Sequence, residues 1–223
     1  MMKTLKRHSL VWLDPDLDLA SCITDLSHVA ATRGWIANGL PLVVARQPQK
    51  LDGSVTHVAV GLTLPPPAIR QRVFLHVPIA SILIQNDPLL LSQAYNSVER
   101  RCQELIQHII TICEQTNVSP CVYGSALWQT ISGNEYMTES SDLDVLFVCN
   151  ETSNMHLLFD LLQACERSKP RLDGELFAPS GWAAAWREVT SAVKTGGLGT
   201  VLAKSTYEVR LLPLDEFFGQ GNT

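Results

Sequence analysis

The sequence predicts an α+β protein: a mixed sheet with helices on one face, preceded by a smaller N-terminal α/β domain. Three observations lead there. After Val122 the pattern runs β, short α, β, α, β, β, an order that favours a mixed sheet over a bundle or a barrel. Asp87-Pro88 opens the clearest amphipathic stretch of the chain. Leu64-Pro65-Pro66-Pro67 interrupts the strands before it, because proline neither donates to a ladder nor sits inside a helix. The expected division is residues 1–86 and residues 87–223.

In the first part, Asp14-Pro15 reads as a helix start, with Leu19, Ile23, Leu26 and Val29 at helical spacing behind it. Residues 41–45, 56–60 and 72–77 read as strands. From Asp87, a helix is expected with Leu91, Ala94 or Tyr95, Val98, Cys102, Leu105, Ile109 and Ile112 or Cys113 on its buried face. Asp87 would cap it and Pro88 suits its first position. Residues 120–123 read as a short buried strand and 126–131 as a short helix. A strong strand is expected at 142–148 and a helix at 155–165, capped by Thr152 or Ser153. Further strands are expected at 171–177, 182–186, 200–204 and 207–212.

With 223 residues, 46% hydrophobic and 17% charged, the chain has enough apolar material for one good core or two small ones. The net charge is −5, so a whole-chain basic footprint for nucleic acid is missing and no nucleic-acid partner is expected. No apolar run reaches the length of a membrane helix. Leu10 to Leu13 is too short for a signal-peptide core and is followed by Asp14, Asp16 and Asp18, which points to a cytoplasmic protein. The six cysteines form no C-x-x-C pair and the six histidines no H-E-x-x-H. They read as buried thiols and scattered imidazoles rather than a zinc site.

The chemistry concentrates in Gly124-Ser125 and, sixteen residues on, Ser141-Asp142-Leu143-Asp144. Residues i and i+2 of a strand face the same way, so Asp142 and Asp144 point together. Two carboxylates ahead of Val145, Leu146, Phe147 and Val148 repel each other unless a cation joins them. Mg²⁺ takes one or two carboxylates together with substrate phosphates. Gly124 lets the backbone approach a ligand, and Ser125 opens a helix whose first amides suit a phosphate. An isolated D-x-D is more often a turn or a strand edge; its union with an upstream G-S makes it a site for phosphoryl or nucleotidyl transfer.

A third carboxylate is expected from Leu172-Asp173-Gly174-Glu175, with Glu175 slightly favoured over Asp173 because Leu176 and Phe177 continue the strand beyond it, whereas Gly174 is a candidate bulge. A solvated strand face is the alternative. Lys204, Lys194 and Arg187 are candidates for a triphosphate tail, Lys204 first. Residues 196–199 are a weaker one, since no P-loop pattern is present. Trp128, Trp182 and Trp186 read as core before base-stacking platforms.

Tyr123-Gly124-Ser125 with Ser141-Asp142-Leu143-Asp144 resembles the signature of polymerase-β-type nucleotidyltransferases. Within that superfamily the chain resembles the phosphoribosyl-dephospho-CoA transferases, the holo-acyl-carrier-protein synthases of malonate decarboxylase. Arg7-His8-Ser9-Leu10-Val11-Trp12-Leu13, Gly39-Leu40-Pro41-Leu42, Gly61-Leu62-Thr63-Leu64-Pro65, Tyr123-Gly124-Ser125-Ala126-Leu127-Trp128 and Leu172-Asp173-Gly174-Glu175-Leu176 carry the likeness along nearly the whole chain. The segment after Ser125 lacks the glycine or arginine that some other nucleotidyltransferases have there. The resemblance implies a nucleotidyltransferase fold and Mg²⁺ on Asp142 and Asp144. It implies substrate contacts at Gly124, Ser125 and Ser141. The donor implied is 2′-(5″-triphosphoribosyl)-3′-dephospho-CoA and the acceptor a serine on the acyl-carrier subunit of malonate decarboxylase, with pyrophosphate released. The N-terminal part would hold the dephospho-CoA or the carrier. Arg70 and Arg72, or Arg100 and Arg101, are the candidate basic patches for an acidic carrier. Two rival readings are a nucleotidyltransferase that adenylylates another acceptor and a silent module of the same fold.

Overall fold

A computed structural model describes residues 5–48, 55–65, 71–195 and 199–219. Pro66, Pro67, Arg70 and residues 196–198 lie outside them. Two sheets divide the chain. The first is five-stranded and antiparallel, in the order β4-β3-β2-β1-β5. Its strands are β1 (Leu10–Leu13), β2 (Leu42–Val44), β3 (His57–Thr63), β4 (Arg72–Pro78) and β5 (Ile82–Asn86). On β4, Val73, Leu75 and Val77 are buried while Arg72, Phe74 and His76 are exposed, the two-residue period of a half-covered strand. The buried face packs on Leu19, Trp35 and Ile36, the last two from α1 (Val29–Ala37).

The helix expected from Asp14-Pro15 is not there. Two 3₁₀ turns, Leu19–Ser21 and Leu26–His28, precede α1. The aspartates are the cause. Asp14 accepts the Asp16 amide, Asp18 that of Ala20 and Asp25 that of Ser27, and such local side-chain bonds compete with helical ones. β1 and β5 are additional to the expected strands.

The second sheet has the order β11-β10-β9-β8-β7-β6. Its strands are β6 (Ser119–Val122), β7 (Leu143–Val148), β8 (Leu172–Phe177), β9 (Ala183–Ala185), β10 (Thr200–Lys204) and β11 (Val209–Pro213). β7 and β8 run parallel and the other pairs antiparallel, so the sheet is mixed. The helices are α2 (Arg100–Thr116), α3 (Gly124–Ser132), α4 (Met155–Ala164), α5 (Trp186–Lys194) and α6 (Leu214–Phe218). Leu143, Val145 and Phe147 share one core with Ile106 and Ile109 of α2, Leu158 and Leu162 of α4, and Trp186 of α5. Each such side chain contributes roughly 1.5–3 kcal/mol on leaving water.

The residues expected on the buried face from Leu91 to Cys113 are buried except Tyr95, the alternative to Ala94, which is exposed, and the helix is broken. A 3₁₀ stretch, Leu91–Ser97, ends where Val98 and Glu99 turn extended, and α2 follows. Side-chain amides occupy the carbonyls at the break: Gln129 donates to Ser97 and Gln103 to Val98. The cap of α4 is Asn154, accepting from the Leu157 amide, rather than Thr152 or Ser153. α5 begins at Trp186, where only the end of a hairpin strand was expected.

The two halves interlock. Trp128 and Tyr136 belong to the first core, and Leu10 to the second. Trp128 meets Trp35 edge to face at 5.8 Å, and the Tyr136 hydroxyl donates to the Thr63 carbonyl at 2.7 Å. All six cysteines are buried and unpaired. Among the described residues no helix is long and apolar enough to cross a membrane.

Candidate active site

β6 ends at Val122, and the chain turns through Tyr123 into α3. The turn depends on Gly124. Its φ is +64°, and a Cβ there would lie 1.9 Å from the Asp144 carboxylate oxygen Oδ2. A side chain is therefore excluded twice, by backbone conformation and by the aspartate. β7 pairs with β6, and the Tyr123 amide donates to the Asp144 carbonyl at 3.2 Å. This pairing sets the helix start against the acidic strand. Ser125 sits in the first turn of α3. Ser141 closes the loop ahead of β7: its hydroxyl accepts the Thr138 amide at 2.9 Å, and its own amide donates to the Thr138 carbonyl.

These residues line a cavity of about 820 Å³. Gly124, Ser125, Ser141, Asp142 and Asp144 line it together with Arg7, His8, Arg46 and Arg72, all from the N-terminal half. Acidic and basic side chains thus share one space.

Asp144 is the perturbed group. Burial, then the charges of Asp173 and Asp142, push its carboxyl up to about 6, against the opposing pull of Arg72. Among the described residues no ion pair is made to it, whereas Asp142 has Arg171 at 4.0 Å. Asp173 stands in register with Asp144 on the neighbouring parallel strand. It accepts the Gly174 amide at 2.9 Å and has Arg187 at 3.6 Å and Arg171 at 3.8 Å. β8 keeps regular register through Gly174, so no bulge forms. Gly174 has φ +148°, and a Cβ would meet the Val145 carbonyl oxygen at 1.9 Å. Its place is required by the close approach of β7.

Glu175 lies one strand repeat further along and is enclosed by cations. Lys204 donates to Oε1 at 2.7 Å, Arg7 to Oε2 at 3.0 Å, and His8 Nε2 lies 3.6 Å from Oε2. Burial alone would raise this carboxyl, but the His8 imidazole, Arg7 and Lys204 together outweigh it and hold the group well below the usual carboxylate range. Glu175, Asp173 and Lys204 are outside the cavity lining. Trp186 is fully buried under the Arg187 guanidinium, and Trp182 has Arg210 at 5.2 Å from its ring.

Two family models cover the chain. The phosphoribosyl-dephospho-CoA transferase MdcG N-terminal domain matches residues 6–88 and the phosphoribosyl-dephospho-CoA transferase MdcG C-terminal domain residues 90–215. A phosphoribosyl-dephospho-CoA transferase of Xanthomonas euvesicatoria pv. vesicatoria is 34% identical over 215 residues, 95% of this chain and 96% of the relative. One of Bradyrhizobium diazoefficiens is 34% identical over 214 residues, 95% and 91% of the two chains. The chain belongs to the phosphoribosyl-dephospho-CoA transferase family. It is a transferase enzyme. No solved structure gives a significant match.

The acidic pair and the helix start of the sequence motif line the same cavity, Asp144 on β7 and Asp142 one residue before the strand begins. Among the described residues no group of three or more His, Cys, Asp and Glu is arranged to hold a metal ion. The acidic wall offers a pair of carboxylates, a donor set that a hard divalent cation completes with substrate oxygens and water. The residues missed from sequence are Arg7, His8, Arg46 and Tyr123. Arg7 and His8 lie far from the motif in sequence, and only their place in a family-like segment marked them. Arg72, expected as a carrier-docking residue, lines the cavity. Arg101 instead donates to the carbonyls of Thr138 and Glu139, bracing the loop that carries Ser141.

Proposed function

We propose that the cavity binds 2′-(5″-triphosphoribosyl)-3′-dephospho-CoA and that the enzyme transfers phosphoribosyl-dephospho-CoA to a serine of the acyl-carrier subunit of malonate decarboxylase, releasing pyrophosphate. The observation that carries this reading is Gly124. Its missing side chain leaves the Asp144 carboxylate in the cavity wall beside the first turn of α3.

Ser125 and the free amides of that turn contact phosphate oxygens. Asp142 and Asp144 are the residues to hold Mg²⁺; burial and then the neighbouring carboxylates raise the Asp144 carboxyl, and a bound cation would offset both. When bound, Mg²⁺ neutralises charge on the phosphates and on departing pyrophosphate. The serine oxygen forms the new bond to the α-phosphorus, and the bond to the β-phosphate oxygen breaks. The serine proton leaves to a carboxylate of the acidic group. Arg46 and Arg72, both exposed and in the cavity lining, give a net-negative chain a local positive surface for an acidic carrier.

The test is an incubation of the purified enzyme with Mg²⁺, the apo-carrier and either the dephospho-CoA donor or ATP. Pyrophosphate release and a serine-linked mass gain with the first donor are expected. Modification with ATP alone, and none with the dephospho-CoA donor, would replace this reading by adenylylation.

A further inference from the structure

The cage around Glu175 joins the two halves of the molecule. Both carboxylate oxygens are engaged, Oε1 by Lys204 and Oε2 by Arg7. The Glu175 side chain is 9% exposed and outside the cavity lining. Its partners Arg7 and His8 are in that lining.

Three further features mark the Arg7-His8 turn. His8 has a φ of +68°, a conformation that a residue with a side chain adopts rarely and that clusters at functional sites. Backbone bonds hold it there: the His8 amide donates to the Val44 carbonyl and the Ser9 amide to that of Lys6. His8 Nε2 is buried without a hydrogen-bond partner, a state most buried polar atoms avoid. The His8 ring also packs 5.0 Å from that of Tyr123, next to Gly124. The turn thus stands beside the start of α3, with a ring nitrogen that lies 3.6 Å from Glu175 Oε2 but makes no hydrogen bond, and a guanidinium whose fork carries five donors.

We propose that Arg7 and His8 form a phosphate-binding subsite supplied by the N-terminal half, and that Glu175, with Lys204, positions them. The ligand class is a polyphosphate chain, so the proposal rests on the reading that the cavity receives one. Glu175 is then a positioning residue and not a metal ligand. Its carboxylate fixes the guanidinium by one edge and leaves the remaining edge to an anion, the geometry for which arginine is suited. The strained turn before β1 is the cost of bringing two basic side chains from the N-terminal half to the acidic strand of the second sheet.

Binding of inorganic tripolyphosphate to the full-length protein, measured by calorimetry in metal-free buffer, tests this without a donor. Arg7→Gln is expected to weaken binding on the order of 10- to 100-fold. Glu175→Asp keeps the charge but withdraws the carboxylate by one methylene, and is expected to weaken binding roughly tenfold. The double variant should be little weaker than Arg7→Gln, because the two act through one contact. Mn²⁺ affinity of Glu175→Asp should stay at the wild-type value, while that of Asp144→Asn falls. In turnover, Glu175→Asp should raise the donor KM and spare kcat. Loss of Mn²⁺ affinity in Glu175→Asp with unchanged tripolyphosphate binding overturns the proposal and makes Glu175 a metal ligand. Wild-type protein that does not bind tripolyphosphate overturns it as well. If Glu175→Asp does not fold, Arg7→Gln alone decides, an unchanged affinity sinking the subsite. Tripolyphosphate binding that depends on Arg7 in a protein with no transfer from the dephospho-CoA donor keeps the subsite and removes the transfer reading.

Discussion

Replacing Gly124 by alanine adds one methyl group to the tightest point of the site. Two costs follow. At φ +64° a non-glycine residue loses about 1–2 kcal/mol relative to glycine. The new Cβ would also stand 1.9 Å from Asp144 Oδ2 and 2.8 Å from its Cγ, well inside van der Waals contact. The carboxylate can yield by rotating away into the cavity, or the β6–α3 turn can shift. A displacement of about 1 Å at a reacting group costs on the order of 100-fold in rate. The strain alone should lower the melting temperature by roughly 2–8 °C for a chain of this size. The assay is kcat for carrier modification beside a thermal melt. A fall in kcat of two orders of magnitude in a folded protein is expected, with Mg²⁺ affinity reduced because Asp144 has moved. Alanine at 124 with wild-type kcat would refute the claim that this glycine exists to admit the aspartate.

Three further outcomes are expected. Gly174→Ala places a Cβ 1.9 Å from the Val145 carbonyl oxygen, so the parallel β7–β8 pair must open; the variant should be recovered largely insoluble, or melt well below wild type. Tyr136→Phe removes the bond to the Thr63 carbonyl at a buried position, costing about 1 kcal/mol and roughly 2–4 °C in melting temperature; an unchanged melt would mean that this bond between the halves contributes nothing. Glu175 has its folded-state carboxyl depressed, so its stabilisation is full above the ordinary glutamate range near about pH 4.3 and is lost as pH falls toward the folded value. The melting difference between wild type and Glu175→Gln should accordingly be flat from pH 7 to 5 and shrink below about pH 4; a difference that grows on acidification would contradict the sign.

What was legible in the sequence was period and punctuation. Alternating Val73, Leu75 and Val77 announced β4, and the period gave the buried face from Leu91 to Ile112, with Ala94 rather than Tyr95 on it, although the helix breaks at Val98 and Glu99. That break was hidden because it is made by Gln129, a side chain from another element. The helix misplaced after Pro15 failed for a local reason: aspartates at 14, 18 and 25 bond nearby amides and favour 3₁₀ turns over a continuous helix. α5 was hidden behind Trp182 and Trp186, whose aromatic content suits a strand as well.

The acidic half of the site was readable because both carboxylates and the glycine-serine turn lie within one short segment, and strand geometry alone puts Asp142 and Asp144 on one side. The basic half was not. Arg7, His8, Arg46 and Arg72 come together only through the order of the first sheet, in which β2 lies between β1 and β3. The preference for Glu175 over Asp173 rested on the strand continuing through Leu176 and Phe177 and on a bulge at Gly174. In the structure the register is unbroken, so Asp173 stands beside Asp144 and Glu175 reaches the cations instead.

The central claim is that the Asp142–Asp144 wall performs the transfer. Intact-mass analysis of apo-carrier after incubation with donor, Mg²⁺ and either wild-type enzyme or Asp144→Asn tests it most directly. The account predicts complete conversion of the carrier serine by wild type and conversion slower by three or more orders of magnitude, about 10³-fold, by a variant that still melts as wild type does. Asp144→Asn enzyme that modifies the carrier at a near wild-type rate would contradict it.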